Sequence, residues 1–186
     1  MTVADDGAAV AESLSAWLAR LAFTDRTADA VTALVVDAVV AWAGGQGWRV
    51  YRRAPSVLPL PPPMSHRQSV LDVACARPDG PPVAIEVDRT DRQRTFDKLL
   101  AEARAGRVPI WVRWGTGRFA VPPPPLHRVT VEVARRVGPG GGERLYSLRP
   151  GADRPPPAHS GGGAASAAVP LPLPDRCAER ADPHSG

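Results

Sequence analysis

Aromatic side chains supply only 5% of the 186 residues, and lysine occurs once, at Lys98, against 22 arginines. The hydrophobic fraction is still 44%, so a core has to be built mainly from valine, leucine and alanine. Cys75 and Cys177 are too few and too far apart for a disulfide framework, and neither belongs to a CxxC pair. Cys75 lies in an apolar run and is expected to be a small core residue. The first residues, with Asp5 and Asp6, lack the basic region and apolar stretch of a signal peptide. The longest apolar run, Ala28 to Ala43, is too short to span a bilayer and contains Asp29 and Asp37. A cytoplasmic location and no membrane partner are expected. The 22 prolines and the preference for arginine over lysine suggest a compositional coding bias. Each proline is then a weaker structural signal than usual, and Lys98 gains weight.

The net charge of +4 is unevenly spread. Residues 30–149 hold 18 basic against 10 acidic side chains, while both flanks are weakly acidic. A basic body suits a polyanionic partner such as DNA, and equally a solvated arginine-rich surface.

Periodicity divides the chain into an N-terminal helix and linker (1–27), an α/β domain (28–149) and a tail (150–186). Leu14, Trp17, Leu18 and Leu21 mark an amphipathic helix over 9–22. Thr27 is placed to cap a second helix that runs to Ala43 and stops at Gly44 and Gly45. Residues 48–52 alternate as a strand, and the Pro-rich stretch 55–63 reads as an extended loop. Strands are expected over 69–76 and 83–88, joined by the turn Pro78-Asp79-Gly80. A helix from Thr90 or Asp91 to about Ala105 carries Phe96, Leu99, Leu100 and Ala103 as its apolar stripe. The strand 108–114 follows by a parallel crossover. Residues 118–121, 128–137 and 144–148 are further strand candidates. In the tail, 24 of 37 residues are Pro, Gly, Ala or Ser, too little apolar surface to offset chain entropy, so disorder is expected.

Chemistry concentrates in the two central strands. Side chains alternate along a strand, so Glu86 and Asp88 share one face of Val83–Asp88 with Ala84. Asp72 lies on the corresponding face of its strand, with Val70 and Ala74. Three carboxylates gathered on one side repel by several kcal/mol and require protonation, arginine partners or a hard divalent cation. Two readings are open. The acids sit at strand ends paired with Arg77, Arg89 or Arg113, or they hold an ion.

The order helix, strand, strand bearing Asp72, strand bearing Glu86-x-Asp88, helix, strand resembles the αβββαβ core of the PD-(D/E)XK, restriction-endonuclease-like nuclease superfamily, over roughly residues 28–114. The run Ile85-Glu86-Val87-Asp88-Arg89-Thr90, followed by Lys98-Leu99, is similar in particular to a divergent branch that includes replication-relaxation proteins and uncharacterised actinobacterial proteins. The resemblance implies a mixed central sheet flanked by helices, with extra C-terminal strands, and metal-dependent hydrolysis of DNA phosphodiester bonds. It implies that Mg²⁺ or Mn²⁺ is held by Asp72, Glu86 and Asp88, with Asp88 also orienting water. Arg89, Arg92 and Arg94 would contact backbone phosphates near the helix start.

Two departures stand out. Leu71 precedes Asp72 where the family has proline, and Asp88 occupies the place of its catalytic lysine. In branches without that lysine, a lysine or glutamine from the next helix takes over. This makes Lys98 a catalytic candidate and Gln93 a second. On a helical wheel, however, Lys98 lies far from the apolar stripe, beside Asp91, Thr95 and Glu102, where a solvated Lys98–Glu102 pair is the alternative. Asp37 would echo an accessory helix acid or form a structural ion pair. His66, His127, His159 and His184 have no metal-ligand spacing, and the glycines at 138–142 open no helix. Two other functions remain: a nuclease fold that only binds nucleic acid, or a protein-interaction module using the Pro-rich loop and tail. Truncation after Pro150 is expected to shift the melting temperature by no more than a few degrees, and a larger loss would move the domain boundary.

Overall fold

The computed structural model describes residues 3–148; the expected tail, 150–186, and Cys177 lie outside the described residues. The elements run α1 (Val3–Leu18), α2 (Ala28–Gly45), β1 (Arg49–Pro59), β2 (Gln68–Ala76), β3 (Val83–Asp88), α3 (Gln93–Arg104), β4 (Val108–Gly115), β5 (His127–Val137) and β6 (Arg144–Leu148). The six strands form one mixed sheet in sequence order. β1, β2 and β3 make an antiparallel meander, β3 to β4 and β4 to β5 are parallel, and β5 to β6 is antiparallel. The β3-α3-β4 connection is the expected crossover. Residues 118–121, a strand candidate, instead form a loop whose Phe119 and Ala120 carbonyls accept hydrogen bonds from Arg128.

Helices cover both faces of the sheet. On one side α1 and α2 pack on Val73, Cys75, Val83, Ile85, Val87, Ile110 and Val112. The N-terminal helix joins this same core, because Leu14 and Leu18 are fully buried in it. Thr27 caps α2 as expected, its hydroxyl accepting from the Ala30 N–H. Gly44 and Gly45 form the last turn of α2 rather than its stop; Gln46 caps it and Gly47 then takes φ +75°. α2 is long and apolar enough to cross a membrane, yet it buries Val31, Val35, Val39 and Trp42 in this core. Cys75 is buried and unpaired, and desolvation pushes its thiol up to about 12.

The opposite side holds a smaller cluster in which α3 contributes Leu99 against Leu71, Ala84, Trp111 and Leu126. Phe96 stacks edge-on against Trp111, with ring centroids 4.8 Å apart. The helix does not seat on its apolar stripe alone. Its buried residues are Thr95, Leu99 and Glu102, whereas Phe96 and Leu100 are only partly buried. Glu102, with no exposed surface, accepts from the Ser56 hydroxyl at 2.6 Å and the Val57 N–H at 2.8 Å, and Arg107 neutralises it. These bonds clamp α3 to the second half of β1. They also explain why the Pro-rich stretch is strand through Pro59 rather than loop: β1 is an edge strand, where a missing N–H leaves no ladder bond unmade.

Glu102→Ala would strip the acceptor from three donors and leave a guanidinium without its counter-ion. Unfolding in urea is expected to show a loss of about 3–5 kcal/mol, with a smaller loss for Glu102→Gln, which retains a carbonyl oxygen. Equal, minor losses in both variants would show that the clamp does not hold α3.

Candidate active site at the end of β3

β3 alternates as expected, with Val83, Ile85 and Val87 in the α1/α2 core. Ala84, Glu86 and Asp88 therefore face α3. β2 departs from simple alternation. Val73 and Cys75 belong to the α1/α2 core, but Leu71 belongs to the α3 cluster together with Ala74. The strand thus turns over by one residue at Asp72. The same happens in β1, where Arg53 takes φ +50° and the ladder skips from Arg52↔Val73 to Ala54↔Leu71. Val70 consequently faces away from the cluster and is 40% exposed, and does not share a face with Asp72 and Ala74. Asp72, at the point of turnover, reaches across to β3 and accepts the Val87 N–H on Oδ2 at 2.8 Å.

The carboxylates of Asp72, Glu86 and Asp88 lie close enough to act on one another electrostatically. Burial raises the Glu86 carboxyl to about 7, outweighing the opposing effect of Lys98, and the charges of Asp72 and Asp88 add to the rise. Burial likewise raises Asp72, against the pull of the Val87 N–H, with the Asp88 charge adding to the rise and Lys98 and Arg53 opposing it. Asp88 accepts from the Thr95 hydroxyl at 2.8 Å.

Lys98 does not pair with Glu102. Its ammonium donates to Glu86 Oε1 at 2.8 Å and to the Val70 carbonyl at 2.6 Å, and its side chain is only 12% exposed. The wheel placed it outward because the wheel was centred on apolar residues; Thr95 and Glu102 find acceptors and donors on the sheet side and turn that polar stripe inward. The arginines offered as partners for the acids are engaged elsewhere. Arg77 pairs with Asp6, Arg113 with Asp91, and Arg89 donates to the Tyr146 hydroxyl. Gln93 lies outside the cluster, donating to Asp97. Asp37 forms an exposed ion pair with Arg52 on α2's side. Around the start of α3, Arg92 donates to the Thr90 hydroxyl and Arg94 to the Pro59 carbonyl, both on exposed surface.

Arg53 and Thr95 are the site residues that sequence reasoning did not assign. Thr95 sits one turn before Leu99 on α3 and was legible as a neighbour of Lys98; no pattern signals an arginine in a left-handed conformation. Among the described residues, no three His, Cys, Asp or Glu side chains are gathered closely enough to hold a metal ion. The hydrogen bonds described engage one oxygen each of Asp72, Glu86 and Asp88. No family profile, characterised protein or solved structure matches the chain.

The raised carboxyls set a direction for pH. Glu86 and Asp72 both bind protons more tightly folded than unfolded; for Glu86 the contribution to stability is complete below about pH 4.5 and is lost as pH rises through about 7. For Glu86 the loss is on the order of 3 kcal/mol. Glu86→Gln removes that slope, so in metal-free buffer the variant should gain on the parent in urea stability between pH 4.5 and 7.5. His127, held below its usual range by burial, acts in the opposite direction but is common to both proteins. A difference that does not change with pH would show that Glu86 stays ionised against Lys98.

Proposed function

We propose that this chain is a restriction-endonuclease-like, metal-dependent nuclease that hydrolyses DNA phosphodiester bonds. The observation that carries this reading is Lys98 Nζ at 2.8 Å from Glu86 Oε1, delivered by the helix after β3 into a cluster that also contains Asp72 and Asp88. The order α2-β1-β2-β3-α3-β4, with the strands adjacent in that order, supports the αβββαβ core. So does the location of the acids at the C-terminal end of a parallel strand, where α/β sheets place ligands.

In donor chemistry, though not in the spacing described above, the three acids suit a hard cation. The donors are all carboxylate oxygens, and the three acids share one field with Lys98 and with Arg53, whose charge acts on Asp72. Asp72, Glu86 and Asp88 would hold Mg²⁺ or Mn²⁺, which supplies Lewis-acid polarisation of the phosphate and a more acidic water. Lys98 donates to a phosphate oxygen and stabilises the charge that develops there. Asp88, fixed by Thr95, accepts a hydrogen bond from the attacking water and orients it. Arg89, Arg92 and Arg94 keep further guanidinium donors for backbone phosphates.

One observation favours a second reading, a nuclease fold that binds DNA without cutting it: the three acids are not drawn together as a ready-made metal cage. Nicking of supercoiled plasmid with and without Mn²⁺, together with calorimetric Mn²⁺ binding, separates the two. Glu86→Gln should abolish metal binding and cleavage without loss of fold, and Lys98→Ala should cut the rate roughly 10²–10³-fold while the metal still binds. Metal-independent DNA binding in the parent, unaltered by Glu86→Gln, would establish the non-catalytic reading.

A further inference from the structure

Beside α3, on the face that carries the acids, the sheet forms a cleft of about 380 Å³, within the rough 300–1,000 Å³ range of small-ligand sites. Its wall and floor include Tyr51, Arg53, Ala74, Ala76, Pro82 and Arg107. Tyr51 is opposite Ala74 in the ladder, so its ring stands over a floor of small side chains. It is 45% exposed, unlike the other described tyrosine, Tyr146, which is buried under Trp114. Arg107 is committed to Glu102, but Arg53 has no hydrogen bond or ion pair among the described residues.

Arg53 also connects the cleft to the acids. It lines the cleft, and its charge acts on Asp72. Val83, which also lines the cleft, is three residues before Glu86 on β3, a separation of roughly 10 Å along the strand. That is the reach of one or two nucleotides of single strand. A left-handed arginine is an uncommon backbone state that persists only where the surroundings impose it. Here the turnover it causes brings both its guanidinium and Asp72 to this part of the sheet.

We propose that the cleft holds an unpaired nucleotide of DNA next to the phosphate at the acids, with the base stacked on Tyr51 and a backbone phosphate on Arg53. This makes the substrate DNA with a single-stranded segment, such as a flap, gap or frayed end. Charge and shape favour that occupant. The cations suit a polyanion, the small alanines admit a flat ring beside Tyr51, and a base still paired in a duplex has both faces covered. The inference rests on the DNA-directed reading of the site but not on cleavage.

The test is fluorescence anisotropy of the full chain with labelled oligo-dT and with a duplex of the same length, in EDTA so that nothing is cut. The parent should prefer the single strand. Tyr51→Ala should weaken single-strand binding roughly 5- to 150-fold, the range of one lost base stack, and leave duplex binding unchanged. Arg53→Gly is the second variant. Glycine accepts φ +50° without strain, so the melting temperature should hold or rise, while the slope of log affinity against log salt should flatten by about 0.7, one single-strand phosphate contact. Equal binding of duplex and single strand, or single-strand affinity unaltered in both variants, overturns the proposal. Mn²⁺-dependent nicking lost in Glu86→Gln alongside that result would leave the nuclease reading standing. A Tyr51-dependent single-strand preference without any Mn²⁺-dependent nicking would instead leave the cleft standing and remove the catalytic reading.

Discussion

The Lys98 ammonium is the point at which three elements of the domain meet. It rises from α3, bonds the Glu86 carboxylate of β3 and caps the Val70 carbonyl of β2. A buried carboxylate without a partner destabilises a fold by several kcal/mol, and truncating one member of a buried pair exposes that cost in full. Lys98 therefore fixes the position of α3 as much as it neutralises Glu86. Thr95 on Asp88 and Glu102 on β1 repeat the arrangement on either side of it. The polar stripe Thr95, Lys98, Glu102 runs at helical spacing down one side of α3, and each member has its partner on the sheet.

That stripe also marks the limit of what the sequence disclosed. The strand Val83–Asp88 was legible because strict alternation in an apolar run allows one face assignment. The capping of α2 by Thr27 and the crossover to β4 were legible for similarly local reasons. The orientation of α3 was not. A helical wheel ranks directions by apolar content, and it gives a buried glutamate no credit for a serine and a backbone N–H that reach it from a distant strand, or for an arginine just past the end of its own helix. Rarity and family resemblance point to Lys98, while the wheel alone turns it toward solvent. The turnover at Arg53 and Asp72 was out of reach for a different reason. It depends on one backbone dihedral, in a residue type that rarely adopts it. The proline-rich stretch erred the other way: proline argues against a central strand, but the position of β1 at the edge of the sheet removes that objection.

The electrostatics of the site follow from where the arginines go. Arg89 and Arg113 stand at the ends of β3 and β4 beside Asp88 and could have compensated the acids, whereas Arg77 follows the far end of β2, level with the start of β3. Each is instead engaged by a contact that ties down another segment: Arg77 holds Asp6 of α1, Arg113 holds Asp91 at the entry to α3, and Arg89 reaches Tyr146 of β6. The arginine-rich composition thus stabilises the periphery and leaves the three carboxylates with Lys98 and, beside Asp72, Arg53 as their nearby cations. A domain under selection for stability alone gains nothing from this arrangement, since replacing such a cluster with apolar residues is commonly neutral or stabilising.

Asp88 sharpens the point. A lysine there would bring a second cation against Glu86 and bring the local charge close to neutrality. Aspartate adds a third acid instead, and Thr95 holds it in place with a hydroxyl that donates to its Oδ2. The cation beside Glu86 comes instead from α3, ten residues along the chain from Asp88. Under the proposed reading Asp88 is a further oxygen ligand, while Lys98 keeps a positive charge beside Glu86 Oε1. A purely structural account of Asp72, Glu86 and Asp88 has to explain why burial, repulsion and the engagement of Arg89 and Arg113 elsewhere all meet on neighbouring positions of β2 and β3.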